Sequence, residues 1–207
     1  MADDKPYTTQ LQAGLGLVTE TKTLLELWSP GMSANQLHQA ALDSGRFPTV
    51  TARRLRNIVV ECFAPRYLGL TGIPAASLKR LAGSLPTAAL KQLMLVFTSR
   101  ANPILGDFVR QIYWPKYAAG YSQIKTEDAR MFVERGIDDG KTSKRWSEST
   151  VRRVSAYLTG CCADYGMLEG GTRTCRYFAF TLTPLTLKLP TISYRFYAVT
   201  NVRICQC

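Results

Sequence analysis

Histidine is almost missing from this sequence, His38 being the single one, and its cysteines never fall at the two-residue spacing of structural zinc sites. The common zinc modules are therefore excluded, and no metal site is expected. Nor does any stretch approach the roughly 18 to 20 apolar residues that span a bilayer. The most apolar helical run, Leu90 to Phe97, is short and gives way to Arg100. The first residues, Met-Ala-Asp-Asp-Lys, lack the basic start and apolar core of a signal peptide. The expectation is a cytoplasmic protein that does not enter a membrane. The six cysteines are Cys62, Cys161, Cys162, Cys175, Cys205 and Cys207. An adjacent pair and a terminal C-x-C make no disulfide framework in a chain of 207 residues. Most of them are read as small core hydrophobes.

Acid is scarce as well. Lys and Arg number 26 against 15 Asp and Glu, a formal charge of +11. Such an excess favours polyanions: DNA, RNA or an acidic membrane surface. A basic surface kept only for solubility is the plainer explanation. With 46% hydrophobic and 20% charged residues the chain is globular in composition, with one core or two abutting ones. No nucleophile stands in a pattern with a base. No catalytic residue and no cofactor is therefore assigned, and the protein is not expected to be an enzyme.

Apolar residues recur at helical spacing over most of the chain. Residues 1–9 read as a disordered start. Glu20 to Trp28 forms a helix stopped by Ser29-Pro30-Gly31, and Ser33 caps a second that ends at Ser44-Gly45. A third begins at Thr49 or Thr51 and should end at Pro65. Pro74 and Ser77 open a short helix, Thr87 caps another, and Pro103 fits the first turn of one that Trp114-Pro115 ends or kinks. Helices follow over about 126 to 138 and 147 to 165, then a strand over about 174 to 183. The predicted fold is mainly α: a compact multi-helix globule with a C-terminal helix-turn-helix-like unit and a short β-like tail. It divides into regions 10–86 and 87–183, with an atypical tail at 184–207. Trp28, Phe108, Trp114, Phe132 and Leu158 should be largely buried.

Gly136 to Thr142 invites a P-loop reading, but only three residues separate its glycines where four are needed, and it leaves a helix where the motif leaves a strand. Gly14-Leu15-Gly16 lacks the third glycine of a dinucleotide fingerprint. The informative stretch is Lys141 to Arg153. Lys141, Lys144, Arg145, Arg152 and Arg153 surround one helix start, with the hydroxyls of Ser143, Ser147, Ser149 and Thr150 and the indole of Trp146. Free amides, cations and hydroxyls are what phosphate contacts use. The order helix, loop, helix, strand resembles a helix-turn-helix with a wing, although the turn is long. A solvated basic loop with Trp146 as a core anchor explains the same residues. A second cluster, Arg46, Arg53, Arg54 and Arg56, suits either phosphate contact or ordinary helix solvation.

The stretches ETKTLLELWS at 20–29, NPILGDFVRQIYWP at 102–115, WSESTVRRVSAYL at 146–158 and DYGML at 164–168 resemble the BrxA family, small core components of BREX phage-defence systems in bacteria. The resemblance spans most of residues 15–183, and its family motif falls on Trp146, Ser147, Ser149, Thr150 and Arg152. It implies a compact helical protein that takes part in excluding phage. It also implies DNA binding without catalysis, with other BREX proteins as partners. Members are often labelled inner-membrane proteins, which the hydropathy here does not support. The leading reading is an accessory subunit that binds duplex DNA through phosphates. Its rivals are a protein-interaction scaffold within the defence complex and a peripheral membrane protein.

The end departs from that family. After F-x-L-T-P-L-T, relatives continue with a helix resembling LAYDLHF, whereas here Leu189 is followed by Pro190-Thr191-Ile192-Ser193. Codons CTG-CCT-ACG-ATA-TCN encode Leu189 to Ser193, and one G restored after CTG gives Leu-Ala-Tyr-Asp-Ile. A single-base frameshift after residue 189 is therefore expected. Resequencing the locus checks it: a missing base should be found there, and an intact upstream frame removes the idea.

Overall fold

The computed structural model describes residues 5–13, 15–69, 71–169 and 174–177. The expected strand beyond Tyr177, the atypical tail at 184–207 and its frameshift lie outside the described residues, as does the beginning of the start read as disordered. Tyr7, within that start, is ordered and only 4% exposed.

A 3-10 turn, Gln10–Ala13, leads to Gly16, whose N–H donates to Asp164 Oδ2 at 2.9 Å. Leu17 follows with a φ of 47°, and α1 (Val18–Leu27) begins. Its buried Thr21, Leu24 and Leu25 are continued by Trp28, one stripe at three- and four-residue spacing. Ser33 opens α2 (Ala34–Asp43) with a full capping box. Its Oγ accepts from the Gln36 N–H at 3.3 Å and its own N–H donates to Gln36 Oε1 at 2.8 Å.

Thr51 caps α3 (Ala52–Arg56), which runs on as a π-helical segment, Asn57–Leu68. Pro65 was expected to stop this helix and does not. In an α-helix a proline loses one bond and its ring meets the carbonyl four residues back. The wider π turn moves that ladder by a residue, as the Gly69 N–H to Ala64 carbonyl bond at 3.1 Å records. Pro74 lies in the first turn of α4 (Ile73–Ala82). Thr87 is the first helical residue of α5 (Thr87–Ala101) and not its cap, a position that Pro86 holds. Next come α6 (Pro103–Phe108), a π-helical segment (Val109–Tyr113) and α7 (Trp114–Ala118), where Pro115 sits in a first turn and so neither stops nor breaks the run.

The remaining elements are β1 (Gln123–Lys125), α8 (Thr126–Asp138), α9 (Glu148–Asp164), β2 (Leu168–Glu169) and β3 (Thr174–Tyr177). The strands form an antiparallel sheet in the order β1-β3-β2, with Ile124 opposite Cys175 and Leu168 opposite Tyr177. One hydrophobic core runs from Tyr7 to Leu168 and crosses the division read at residue 86 without a break. Trp28, Phe108, Phe132 and Leu158 are buried in it, while Trp114 is only partly buried and lies edge-on to Tyr113. Among the described residues no helix is long and apolar enough to cross a membrane.

Gly16 packs so closely that a Cβ there would stand 2.5 Å from Asp164 Cβ, an atom held by α9. Gly16→Ala should therefore destabilise the protein by about 1–3 kcal/mol through overpacking. Gly83, with φ −84° and open space around it, should accept alanine without loss. Urea denaturation of the two variants checks the contrast.

Candidate nucleic-acid interface

With α6, the π-helical segment and α7 taken as one unbroken helical run, the order on to β3 is helix, strand, helix, helix, strand, strand, and the sheet places the last strand between the other two. This order and strand pairing match those of a winged helix-turn-helix, with α8 and α9 in the places of the helix pair. Each joint has a local cause. Gly140, at φ 71°, closes α8 in a Schellman motif: its N–H bonds the Ile137 carbonyl at 3.1 Å, and the Lys141 N–H bonds the Gly136 carbonyl at 2.9 Å. The glycines of the rejected P-loop are thus helix and helix end. Ser147 starts α9, its Oγ accepting from the Thr150 N–H at 3.4 Å. Residues 139–147 make the turn, longer than the usual three or four.

The α9 helix is amphipathic. Val151, Val154, Ser155, Leu158, Cys161 and Cys162 face the core, and the buried Ser155 hydroxyl donates to the Val151 carbonyl at 2.8 Å. The opposite face carries Ser149, Arg152, Arg153 and Ala156, all exposed. Spacing of three, four and seven sets them in one stripe. Lys144 and Ser143 are exposed on the loop beside its start.

The cations expected at this site do not all stay available. Lys141 is drawn inward: its Nζ lies 3.4 Å from Asp107 Oδ2 and 3.3 Å from the Tyr7 hydroxyl. Arg145 faces Asp138 at 3.5 Å, both side chains well exposed. The hydroxyls of Ser149 and Thr150 lie 3.1 and 3.0 Å from Ser147 Oγ, so all three serve the helix cap. Trp146 is partly buried and packs on the core, which supports its reading as an anchor. Arg53, Arg54 and Arg56 are exposed on α3, which packs against α2 and the π-helical segment after it, whereas α9 packs on α8, β2 and the first 3-10 turn. The two basic clusters thus belong to different parts of the fold. Arg46 is paired with Glu26.

Sequence reasoning missed Arg130. It bridges Glu134 and Glu148, each at 2.8 Å, and so neutralises the carboxylate in the first turn of α9. The four-residue step to Glu134 was a usable signal; the reach to Glu148 was not. It also missed Asp107 and Tyr7, whose pairing spans a hundred residues. Burial pushes the Asp107 carboxyl up, but the Tyr7 hydroxyl at 2.6 Å, Arg110 and Lys141 outweigh it and hold the group below its ordinary value. Burial pushes the Cys161 thiol up to about 12 and raises Cys62 as well, which disfavours the thiolate form at both. Among the described residues no cluster of His, Cys, Asp and Glu could hold a metal ion.

The BrxA family model matches residues 5–188, ending beside Leu189. No curated protein matches the chain. Among solved structures it is similar to the crystal structure of an uncharacterized protein from Magnetospirillum magneticum. Identity is 12% and the TM-score 0.69, over 95% of this chain and 94% of that one. At that identity the likeness is one of fold.

The Asp107 cluster gives this region a dependence on pH. The folded protein keeps Asp107 ionised where the unfolded chain has taken up a proton. Its contribution to stability is therefore fully present above the ordinary carboxylate pKa and is lost as pH falls below that value and through the lowered pKa of the folded state. Asp107→Asn should lower the thermal midpoint at pH 7, and its gap to the unsubstituted protein should close below about pH 4. Melting curves over a pH series measure this.

Proposed function

The chain belongs to the BrxA family and so is a BREX-associated protein of phage defence, and from that membership we propose that it is a non-catalytic accessory component that binds duplex DNA. The observation that carries this reading is the exposed stripe of α9, Ser149, Arg152, Arg153 and Ala156, in a winged helix-turn-helix with Lys144 beside it. A helix in that position fits the major groove by its N-terminal half. Two arginines and a loop lysine there meet phosphates on the groove walls. Ser149 and Ala156 are small and let the helix approach. Base reading is slight, because phosphate contacts position a protein without selecting sequence. Arg53, Arg54 and Arg56 on α3 are a second phosphate-contacting set. The protein acts in the cytoplasm, with other BREX proteins as its partners.

The test is a titration of plain duplex DNA across a salt series. Each neutralised phosphate contributes about −0.9 to the slope of log K against log salt, and about three to six contacts are expected. Changing Lys144, Arg152 and Arg153 together to alanine should weaken binding alike on every sequence and flatten the slope by about two to three. Stability should move by no more than about 0.5 kcal/mol, since these side chains are exposed. Lys141→Ala should leave the slope nearly unchanged, because Asp107 holds that ammonium. If the folded protein binds no duplex at low salt, the reading fails and a scaffold role takes its place.

A further inference from the structure

We propose that Tyr7 is a positioning residue for DNA binding: a strap from the beginning of the chain that sets the turn between α8 and α9 in its binding shape. The proposal rests on the DNA-binding reading above.

The turn at 139–147 is long for its fold and carries Lys144 and Arg145 in solvent. Left to itself, such a segment would lose much conformational freedom on binding, and that loss weakens affinity. Its far end is fixed by the Trp146 indole on the core and the Ser147 cap. Its near end is fixed by Tyr7. The Tyr7 N–H donates to the Lys141 carbonyl at 2.6 Å, and Tyr7 forms a parallel β-bridge with Thr142. The ring lies across α8 at Gly136, where a Cβ would come within 2.7 Å of Tyr7 Cε2, and is tilted against Phe132 at 6.1 Å. The hydroxyl donates to Asp107 Oδ2 at 2.6 Å, and the Lys141 ammonium sits 5.3 Å from the ring centre. One residue thus ties the last turn of α8, the first residues of the loop and α6 together. Gly136 leaves the ring its place, and Asp107 sets its height. At 4% exposure Tyr7 touches no phosphate itself. It acts through the loop.

This role has a signature that a phosphate contact lacks. A contact residue changes the slope of log K against log salt; a positioning residue lowers affinity at an unchanged slope. The experiment compares the full chain with Tyr7→Phe and Tyr7→Ala, using a fluorescein-labelled duplex over a salt series at a temperature where circular dichroism shows each protein folded. Amide hydrogen exchange is followed in parallel. Tyr7→Ala should bind about tenfold more weakly at the same slope, and Tyr7→Phe, which keeps ring and bridge, about threefold. Exchange should quicken at residues 141–145 while the buried turns of α9 keep their protection. Should Tyr7→Ala fail to fold, Tyr7→Phe carries the comparison. Three results overturn the proposal: unchanged affinity in the folded variants, a slope that falls along with affinity, or exchange that quickens evenly over the chain. If the unsubstituted protein binds no duplex, the DNA reading has failed by itself. Exchange then decides the strap, local quickening at 141–145 supporting it and its absence overturning it.

Discussion

The Tyr165 hydroxyl lies 2.7 Å from Thr98 Oγ1 in α5 and donates to the Gly16 carbonyl at 3.2 Å, while Thr98 reaches the Tyr67 hydroxyl at 3.3 Å. These groups are buried, so each bond left unmade would cost more than it gives when made. The chain of hydroxyls therefore has to close completely, and closing it brings the end of α9, the last turn of α5, the π-helical segment Asn57–Leu68 and the approach to α1 to one place. Arg66, also buried, donates to the neighbouring Leu15 carbonyl at 2.8 Å. Asp164 holds the Gly16 N–H beside it. Because of this junction the winged unit is not an appendage on a helical body. It shares the body's core, and the direction in which α9 presents its outer face is set by contacts at its opposite end.

What could be read in the sequence was what depends on near neighbours. Ser33, Thr51 and Ser147 were legible as helix starts because a cap needs only the residues three further on. The ends near 138 and 165 were legible too, and the structure places Gly140 and Gly166 just beyond them with the positive φ that closes a helix. Most of the burial pattern followed from helical spacing. Pro65 was misread because local rules assume an α register, whereas the segment is π-helical, with Ile58, Val59, Cys62 and Phe63 buried along it. Strand β1, Gln123 to Lys125, was missed because three residues show no alternation; it exists only because β3 pairs with it. Tyr7 was missed for the same kind of reason. Its partners, Asp107, Gly136 and Lys141, lie a hundred or more residues away.

The family and the fold reach different distances toward function. Membership in the BrxA family ties the chain to a defence system. The likeness to the Magnetospirillum magneticum protein, at 12% identity, speaks for the architecture alone. Neither names a surface. The choice of surface comes from side chains, and in the basic stretch the structure distinguishes cations that the sequence treats alike, Lys141 and Arg145 facing carboxylates. A lysine's charge is visible in sequence, but the carboxylate that takes it up is not.

Pairing and burial sort those cations physically. Asp107 is only 15% exposed and sits among Tyr7, Arg110 and Lys141, so taking Lys141 away would leave a part-buried carboxylate with less of its compensation. That ammonium is committed to the fold. Arg145 is different, since it and Asp138 are 82% and 65% exposed at 3.5 Å. An ion pair so open to water is worth about 0–1 kcal/mol and is screened by salt. The pair can open at small cost. Arg130 pairs with Glu148 in the first turn of α9 at 2.8 Å, and this pair too is open to water, its side chains 44% and 68% exposed. The cations of this stretch left in solvent are therefore fewer than its run of basic residues suggests: Lys144, Arg152 and Arg153 are exposed, and Arg145 is held only by an open ion pair.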